Sequence, residues 1–571
     1  MRERAILERE LALLSAPERE SFGGGTAVAG PLPYGGYDLK RGDRDSSNRY
    51  GGAAHPGAGG FVRQLQEDLR TLGFRIVGTP DGAFGRQTEW AVREFQIYAS
   101  MERVAQESGA GGQYIDRLTG IANTHRYNGT VSGVVNADTR DRIRQWLADR
   151  WRCPVVIDAR DASGKVVHRE NVWLHDEMRD TGPRVFVRDF THYYSFPAGR
   201  DPDGLIVLGD YTVYRRWSGP RSLPPRHTWP EAELLPEALV GTPLGRLSAS
   251  QRSTFKVVRA LAEQECLGFF DSANAYDNAF ISVGPCHWTL GIADGSGVSE
   301  GELCAYLAYL RHVDPLAFQI AIGRFGVRAD ENWVGPSGVP NGSDLFDPGQ
   351  RNYGGWVAMQ QQNGTFARLG PSEDEGNYFK TWHWFYRFVM AGRTVEGYRR
   401  RMWDMVRLRL RDLKATPFPA GVVPDVPLAT GGTRRATLGD VYTSERAWGL
   451  LLRWHVRFTS HVVRTRVVGA HVQNAVRRAA IPAAAGDPTR WKNSHEQQLI
   501  DGLMREVDAL VAANANRAGF KSTMEQVRDW PRWARPGATN PRGYALDPTI
   551  GNLALTRGSF QFDDAGLPPS P

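Results

Sequence analysis

Apolar positions in the first folded stretch of the chain recur at helical spacing. Val62, Leu65, Leu69 and Leu72 share a face, Gly73 stops the run, and Trp90, Val92 and Phe95 mark a second helix. From residue 153 the pattern shortens to β-branched and aromatic runs between turn residues: Pro154-Val-Val-Ile-Asp-Ala, Val185-Phe-Val-Arg-Asp-Phe and Leu205-Ile-Val-Leu. A small antiparallel β domain is expected there, with Ala162-Ser-Gly-Lys as a hairpin turn. A Pro-rich connector, Pro220 to Pro236, precedes a mainly helical region from Leu247 to Lys414. A linker at Pro417 to Gly432 separates it from helices expected over Val441 to Ala480 and His495 to Ala515. Phe22 to Gly60 is rich in Gly, Pro, Asp and Ser, a composition that buries too little to order itself, and no long internal repeat is visible.

These boundaries predict a multidomain, predominantly α chain. Its expected parts are a flexible segment at 1–60, a helical domain at 61–150, a small β domain at 151–235, a larger domain at 245–415, a helical extension at 433–530 and a loop-like tail at 531–571. The length of 571 residues agrees, being too great for one hydrophobic core.

Composition narrows the chemistry. No window approaches the ~20 consecutive apolar residues that cross a bilayer, so membrane insertion is not expected. The charged opening Met-Arg-Glu-Arg lacks the apolar run of a secretory signal, so synthesis in the cytoplasm and delivery by lysis or a dedicated machine is expected. The formal charge of +7 is mostly arginine, gathered in Arg399–Arg411 and Arg453–Arg478, where solvated helix faces are the plainer reading and anionic partners the sharper one. Cys153, Cys266, Cys286 and Cys304 form no CxxC pair and no zinc spacing; neither metal nor cofactor is expected. Gly51 to Gly60 is glycine-rich but lacks the following Lys-Ser/Thr and preceding strand of a nucleotide loop, and no nucleic-acid partner is expected.

Val62-Arg-Gln-Leu-Gln-Glu-Asp-Leu-Arg-Thr-Leu-Gly-Phe followed by Asp81-Gly-Ala-Phe-Gly-Arg-Gln-Thr-Glu-Trp-Ala-Val-Arg-Glu-Phe-Gln resembles the peptidoglycan-binding domain appended to many wall hydrolases. Each piece has a mechanical reason: Asp81-Gly82 turns tightly into Phe84-Gly85, Thr88 buttresses the second helix, and Ala91, Val92 and Phe95 pack on Leu65 and Leu69. The resemblance resumes at Gly129-Thr-Val-Ser-Gly-Val-Val-Asn-Ala-Asp-Thr-Arg, after an insertion over Ala99 to Asn128. It implies a three-helix domain that binds peptidoglycan, with Phe84, Trp90 and Tyr98 as candidate contacts and Trp90 equally suited to the core.

The stretch Leu261 to Gly291 reads as a helix ending near Gly268 and then a hairpin punctuated by Gly and Asn. Glycoside hydrolysis needs a carboxylic acid kept protonated in apolar surroundings and a second carboxylate or positioned water across the bond. Phe255, Val258, Leu261 and Ala262 share a helical face with Glu265, so burial is expected to raise its pKa, whereas Glu263 falls on a polar face with Lys256 and Arg259. Asp277, favoured over Asp271, is the candidate second carboxylate. Ser282, His287 and Thr289 are candidates to orient water or hold an N-acetyl sugar. His287-Trp288-Thr289-Leu290-Gly291 is similar to the strand after the catalytic turn of phage-type lysozymes, which implies an α+β lysozyme-like domain with Glu265, Asp277 and Thr289 as its catalytic set. The Glu-to-Asp spacing is longer than in those enzymes, and Cys266 replaces the usual Gly. Trp356, Trp382 and Trp403 offer aromatic area that is core-like at helical spacing.

The leading expectation is therefore a muramidase anchored to bacterial peptidoglycan. The alternatives are a non-catalytic wall-binding component with phage or injection-apparatus partners, and a related glycanase acting on chitin or chitosan.

Overall fold

The computed structural model describes residues 32–55, 57, 59–107, 118–160, 166–168, 184–189, 206–207, 236–266, 268, 270, 273–274, 279–293, 297–330, 355–464, 466–531 and 550–567. The chain is mostly helical with several small antiparallel sheets.

The first domain is built on α1 (Phe61–Thr71), α2 (Arg86–Ala99) and α3 (Ala137–Ala148). The apolar stripe read from sequence is its core: Val62, Leu65, Leu69, Leu72, Ala91, Val92 and Phe95 are all fully buried. One device joins the helices twice. Gln66 of α1 receives hydrogen bonds on Oε1 from the Asp81 and Gly82 amides, each at 2.9 Å, and donates from Nε2 to Thr88 Oγ1 at 3.0 Å and the Ala83 carbonyl at 3.1 Å. Gln96 of α2 repeats this with the Ser132 and Gly133 amides at 2.9 Å, Thr139 Oγ1 at 3.1 Å and the Val134 carbonyl at 2.9 Å. Each helix thus latches the loop that starts the next one. Val62-Arg-Gln-Leu-Gln and Val92-Arg-Glu-Phe-Gln, each with a Gly in the following loop and a Thr six residues after it in the next helix, are the sequence trace of this short repeat. Gln96 is fully buried, and its truncation strands several buried polar groups. Gln96→Ala is expected to cost at least ~2 kcal/mol, read as a lowered unfolding midpoint of the full chain.

The segment expected as a flexible linker is instead part of this domain over residues 32–55. Tyr34, Leu39 and Tyr50 are buried in its core. The local acids explain the order. Asp43 accepts from the amides of Lys40 at 2.8 Å, Gly51 at 2.9 Å and Gly52 at 3.2 Å. Asp45 caps α1 from a distance, taking the Val62 amide at 3.0 Å and the Arg63 amide at 2.9 Å, because Gly60 at the N-cap has no side chain to do so. A glycine is required opposite: Gly82 has φ +74°, and a Cβ there would meet Asp45 Oδ2 at 2.8 Å. The insertion after α2 carries a hairpin, β1 (Arg103–Glu107) and β2 (Leu118–Ala122), with β3 (Trp151–Arg152) on the other side of β1. Beyond it, β4 (Val155–Arg160), β5 (Val166–His168), β6 (Arg184–Asp189) and β7 (Ile206–Val207) pair antiparallel in the order β5-β4-β6-β7.

The larger body starts at α4 (Ala249–Glu265), opened by a Ser248–Gln251 capping box. Three antiparallel strands follow: β8 (Ala273–Asn274), β9 (Ser282–Val283) and β10 (Trp288–Thr289). Further on come α5 (Glu302–Val313), α6 (Pro315–Ala321), α7 (Trp382–Thr394) and α8 (Glu396–Ala415). The helix expected over Val441 to Ala480 is broken into α9 (Glu445–Arg457), a single turn at Thr459–Val462 and α10 (Ala470–Ala479), because the β-branched run before α10 pairs Val463–Arg464 with Val467–Val468. Then α11 (Asn493–Ala513) and α12 (Ala518–Arg528) close the helical set.

This last helical region is no separate extension, since α9 packs directly on α4 and Lys256 pairs with Glu445 in a buried ion pair. Residues 550–567, expected as tail, lack regular secondary structure but bind the two together. Leu553 is fully buried, the Ala554 amide reaches Glu445 at 2.8 Å, the Asp563 amide reaches Thr254 Oγ1 at 2.8 Å, and Arg557 reaches Glu496 at 2.7 Å.

Candidate functional site

Two regions hold the residues singled out above. The first is α2 and its surroundings. Phe84, Trp90 and Tyr98, the candidate glycan contacts, are 2, 4 and 2 % exposed, so none of the three offers a face to a ligand. Phe84 belongs to the domain core. The other two belong to a seam, because α2 is buried without interruption from Trp90 to Ala99: its own domain covers one side and the larger body covers the other. Trp90 stacks on Tyr378 with ring centroids 5.4 Å apart, and Tyr98 Oη lies 3.1 Å from His383 Nδ1.

Between them sits Glu94, fully buried, gripped through both oxygens by Arg387 and accepting from Tyr378 Oη at 2.7 Å. Burial alone would raise the Glu94 pKa, but the Arg387 charge and the hydrogen bonds from Arg387 and Tyr378 outweigh it and hold the carboxyl below its ordinary value. Burial in turn lowers His383 to about 4, so this ring is neutral at pH 7. The loop before α3 docks as well, its Val131 amide donating to Gln360 Oε1 at 3.0 Å, and Arg93 of α2 donates to the Gln360 carbonyl at 3.2 Å. The first domain and the body therefore form one packed unit through a desolvated ionic contact.

Where the seam reaches the surface it opens into a cavity of about 290 Å³. One wall is the Thr79–Thr88 loop and the start of α2; the other is the short turn holding Asp374 and Asn377, nearly 300 residues downstream. Arg86 to Asp374 at 2.8 Å and Arg41 to Glu375 at 2.5 Å bridge its rim.

The second region is the end of α4. Glu265 is its last residue, and its carboxylate is buried and held from two other elements: by Arg453 of α9 and by His287 Nδ1 at 3.2 Å. His287 is the last residue of the turn that joins β9 to β10 and takes a left-handed backbone, φ 52°, unusual for a residue with a Cβ. The expected raised pKa is overturned. Burial pushes it up, but Arg453, then His287, then Arg457 outweigh that and lower it to about 2, so Glu265 is ionised at neutral pH.

Glu263 is likewise not on a solvated face: Arg259 donates to it at 3.0 Å and Trp530 Nε1 at 2.8 Å. Ser282 is buried and pairs in register with half-buried Thr289. Asp271 and Asp277 lie outside the described residues.

Trp356 and Trp403 are buried, whereas the Trp382 side chain lies outside the description. Much of the arginine excess is consumed inside the fold: Arg401 and Arg407 bind Asp404 at 2.7 and 2.6 Å, Arg407 also binds Asp563 at 3.1 Å, and Arg409 binds Glu302. The four cysteines are buried and form no disulfide. Among the described residues no group of three or more His, Cys, Asp or Glu side chains is placed to hold a metal ion.

No curated protein and no solved structure matches the chain. Residues 58–102, which span α1, the latched loop and α2, match the family model described as a putative peptidoglycan binding domain, so this stretch of the chain is similar to that domain.

Proposed function

We propose that this protein binds bacterial peptidoglycan through a domain built rigidly into a larger helical body, and acts as a wall-attached component rather than as a free enzyme on a tether. The family match over 58–102 carries the reading, and the Glu94–Arg387 contact supports the rigid attachment. Delivery after lysis, on a phage particle or by an injection machine belongs to the same reading. The full chain is expected to sediment with purified sacculi; a chain that stays in the supernatant at all salt concentrations contradicts it.

A second reading, cleavage of glycan strands, is favoured by one observation: a carboxylate ends α4 and is held by a histidine beside a three-stranded antiparallel sheet. General-acid catalysis needs a proton on Glu265, which Arg453 opposes in this arrangement. Sacculi incubated with the protein decide it. New reducing ends that vanish in Glu265→Gln establish a glycosidase; intact glycan that retains the protein leaves the binding role alone.

A further inference from the structure

The cavity at the seam has features that select a ligand class, and this inference rests on the wall-binding reading. Sugar rings are held by exposed aromatic faces, and the one aromatic lining residue, Trp90, is 4 % exposed with a face already taken by Tyr378. The remaining lining is hydrogen-bonding and charged. The side chains of Thr79, Gln87 and Asn377 make no hydrogen bonds among the described residues, so their donors and acceptors are uncommitted. Asp81 spends Oδ1 on Gln66 Nε2 and the Ala83 amide, both at 2.9 Å, which leaves Oδ2 for a partner.

Both charge signs border the same space: Asp81 makes no ion pair among the described residues, and Arg86 and Asp374 meet at 2.8 Å across the rim with both side chains partly exposed and open to exchange. At the second latch Asn136 caps its helix through the Thr139 amide at 2.9 Å. At this one Gly85 supplies no side-chain cap, so the first turn of α2 adds unshared N–H groups to the positive side.

A neutral N-acetylated glycan has no charges to answer these. We propose that the cavity binds the peptide stems of peptidoglycan, chains that carry carboxylates and a free side-chain ammonium, and that Asp374 and Asn377 from the body complete the site. The ammonium sits with Asp81 and Asp374 and a carboxylate takes Arg86 and the start of α2, so the ligand exchanges its own charges for the Arg86–Asp374 pair. The site is therefore composite: the matched domain supplies one wall, and peptide selectivity depends on residues far outside it.

The test uses the full chain, a synthetic stem tetrapeptide bearing a free ammonium, and a neutral N-acetylglucosamine tetramer, with binding followed by calorimetry and retention on sacculi measured in parallel. Asp374→Ala and Asn377→Ala alter exposed or half-exposed positions, and unchanged far-ultraviolet circular dichroism checks their fold. The expected result is peptide binding that weakens at least tenfold in each variant, with the tetramer binding more weakly than the peptide. Three results overturn the inference while the chain still sediments with sacculi: no peptide binding, peptide binding unchanged in both variants, or preference for the tetramer. Failure of the unmodified chain to sediment at all overturns the wall-binding reading itself.

Discussion

Arg387→Met is expected to cost ~3–5 kcal/mol, because it leaves the Glu94 carboxylate buried without its counter-charge. Chemical denaturation of the full chain reads this as a large drop in midpoint. The double variant Glu94→Gln/Arg387→Met removes both charges and is expected to recover most of that loss; a double variant as unstable as the sum of the singles contradicts the pairing. The pH dependence has a fixed sign. The folded pKa of Glu94 lies below its unfolded value of ~4.3, so its stabilisation is complete above that value and is lost as pH falls through the folded one. The same contact argues against testing the first domain by deletion, since removing it would expose Arg387, Tyr378 and His383 in the body. Point changes at the rim are the better probe.

Arg453→Met carries the second large effect. It removes the charge that holds Glu265 at about 2, and burial then dominates, so the carboxyl is expected to titrate above its ordinary ~4.3. Carbon-13 titration of the Glu265 carboxyl measures this directly. In the unmodified protein the stability from Glu265 is present above ~4.3 and drains as pH falls toward about 2; in the variant that acid-side loss disappears. Stability is expected to fall by ~3–5 kcal/mol and to return in part with Glu265→Gln added. A Glu265 pKa that stays near 2 in Arg453→Met would show that His287 alone holds the ionised form.

Periodicity reached the local elements because burial of one helical face is written in one window of sequence. Leu65, Leu69, Val92 and Phe95 were legible as a core, and the β-branched runs after residue 153 marked strands. Burial of a second face depends on a distant partner, and there the local reading stopped. Trp90, Glu94, Ile97 and Tyr98 form a second stripe on α2 at spacings of four, seven and eight, a signal that another surface covers it; read within one domain, its aromatics resembled ligand contacts.

The Glu265 environment was half legible. The face shared with Phe255 and Leu261 announced burial, but Arg453 arrives from nearly 190 residues away, and its charge reverses the shift that burial alone would give. Composition misled at Phe22 to Gly60, where Asp43 and Asp45 bind backbone amides and order the 32–55 stretch despite its Gly and Pro content.

Retention on purified sacculi is the most direct measurement. The full chain is incubated with sacculi at physiological salt, and bound and free fractions are compared with those of a chain carrying Asp374→Ala and Asn377→Ala. The unmodified protein is expected to pellet with the wall and the double variant to be largely released. Equal amounts of both in the supernatant, with no pelleting of either, would contradict that expectation.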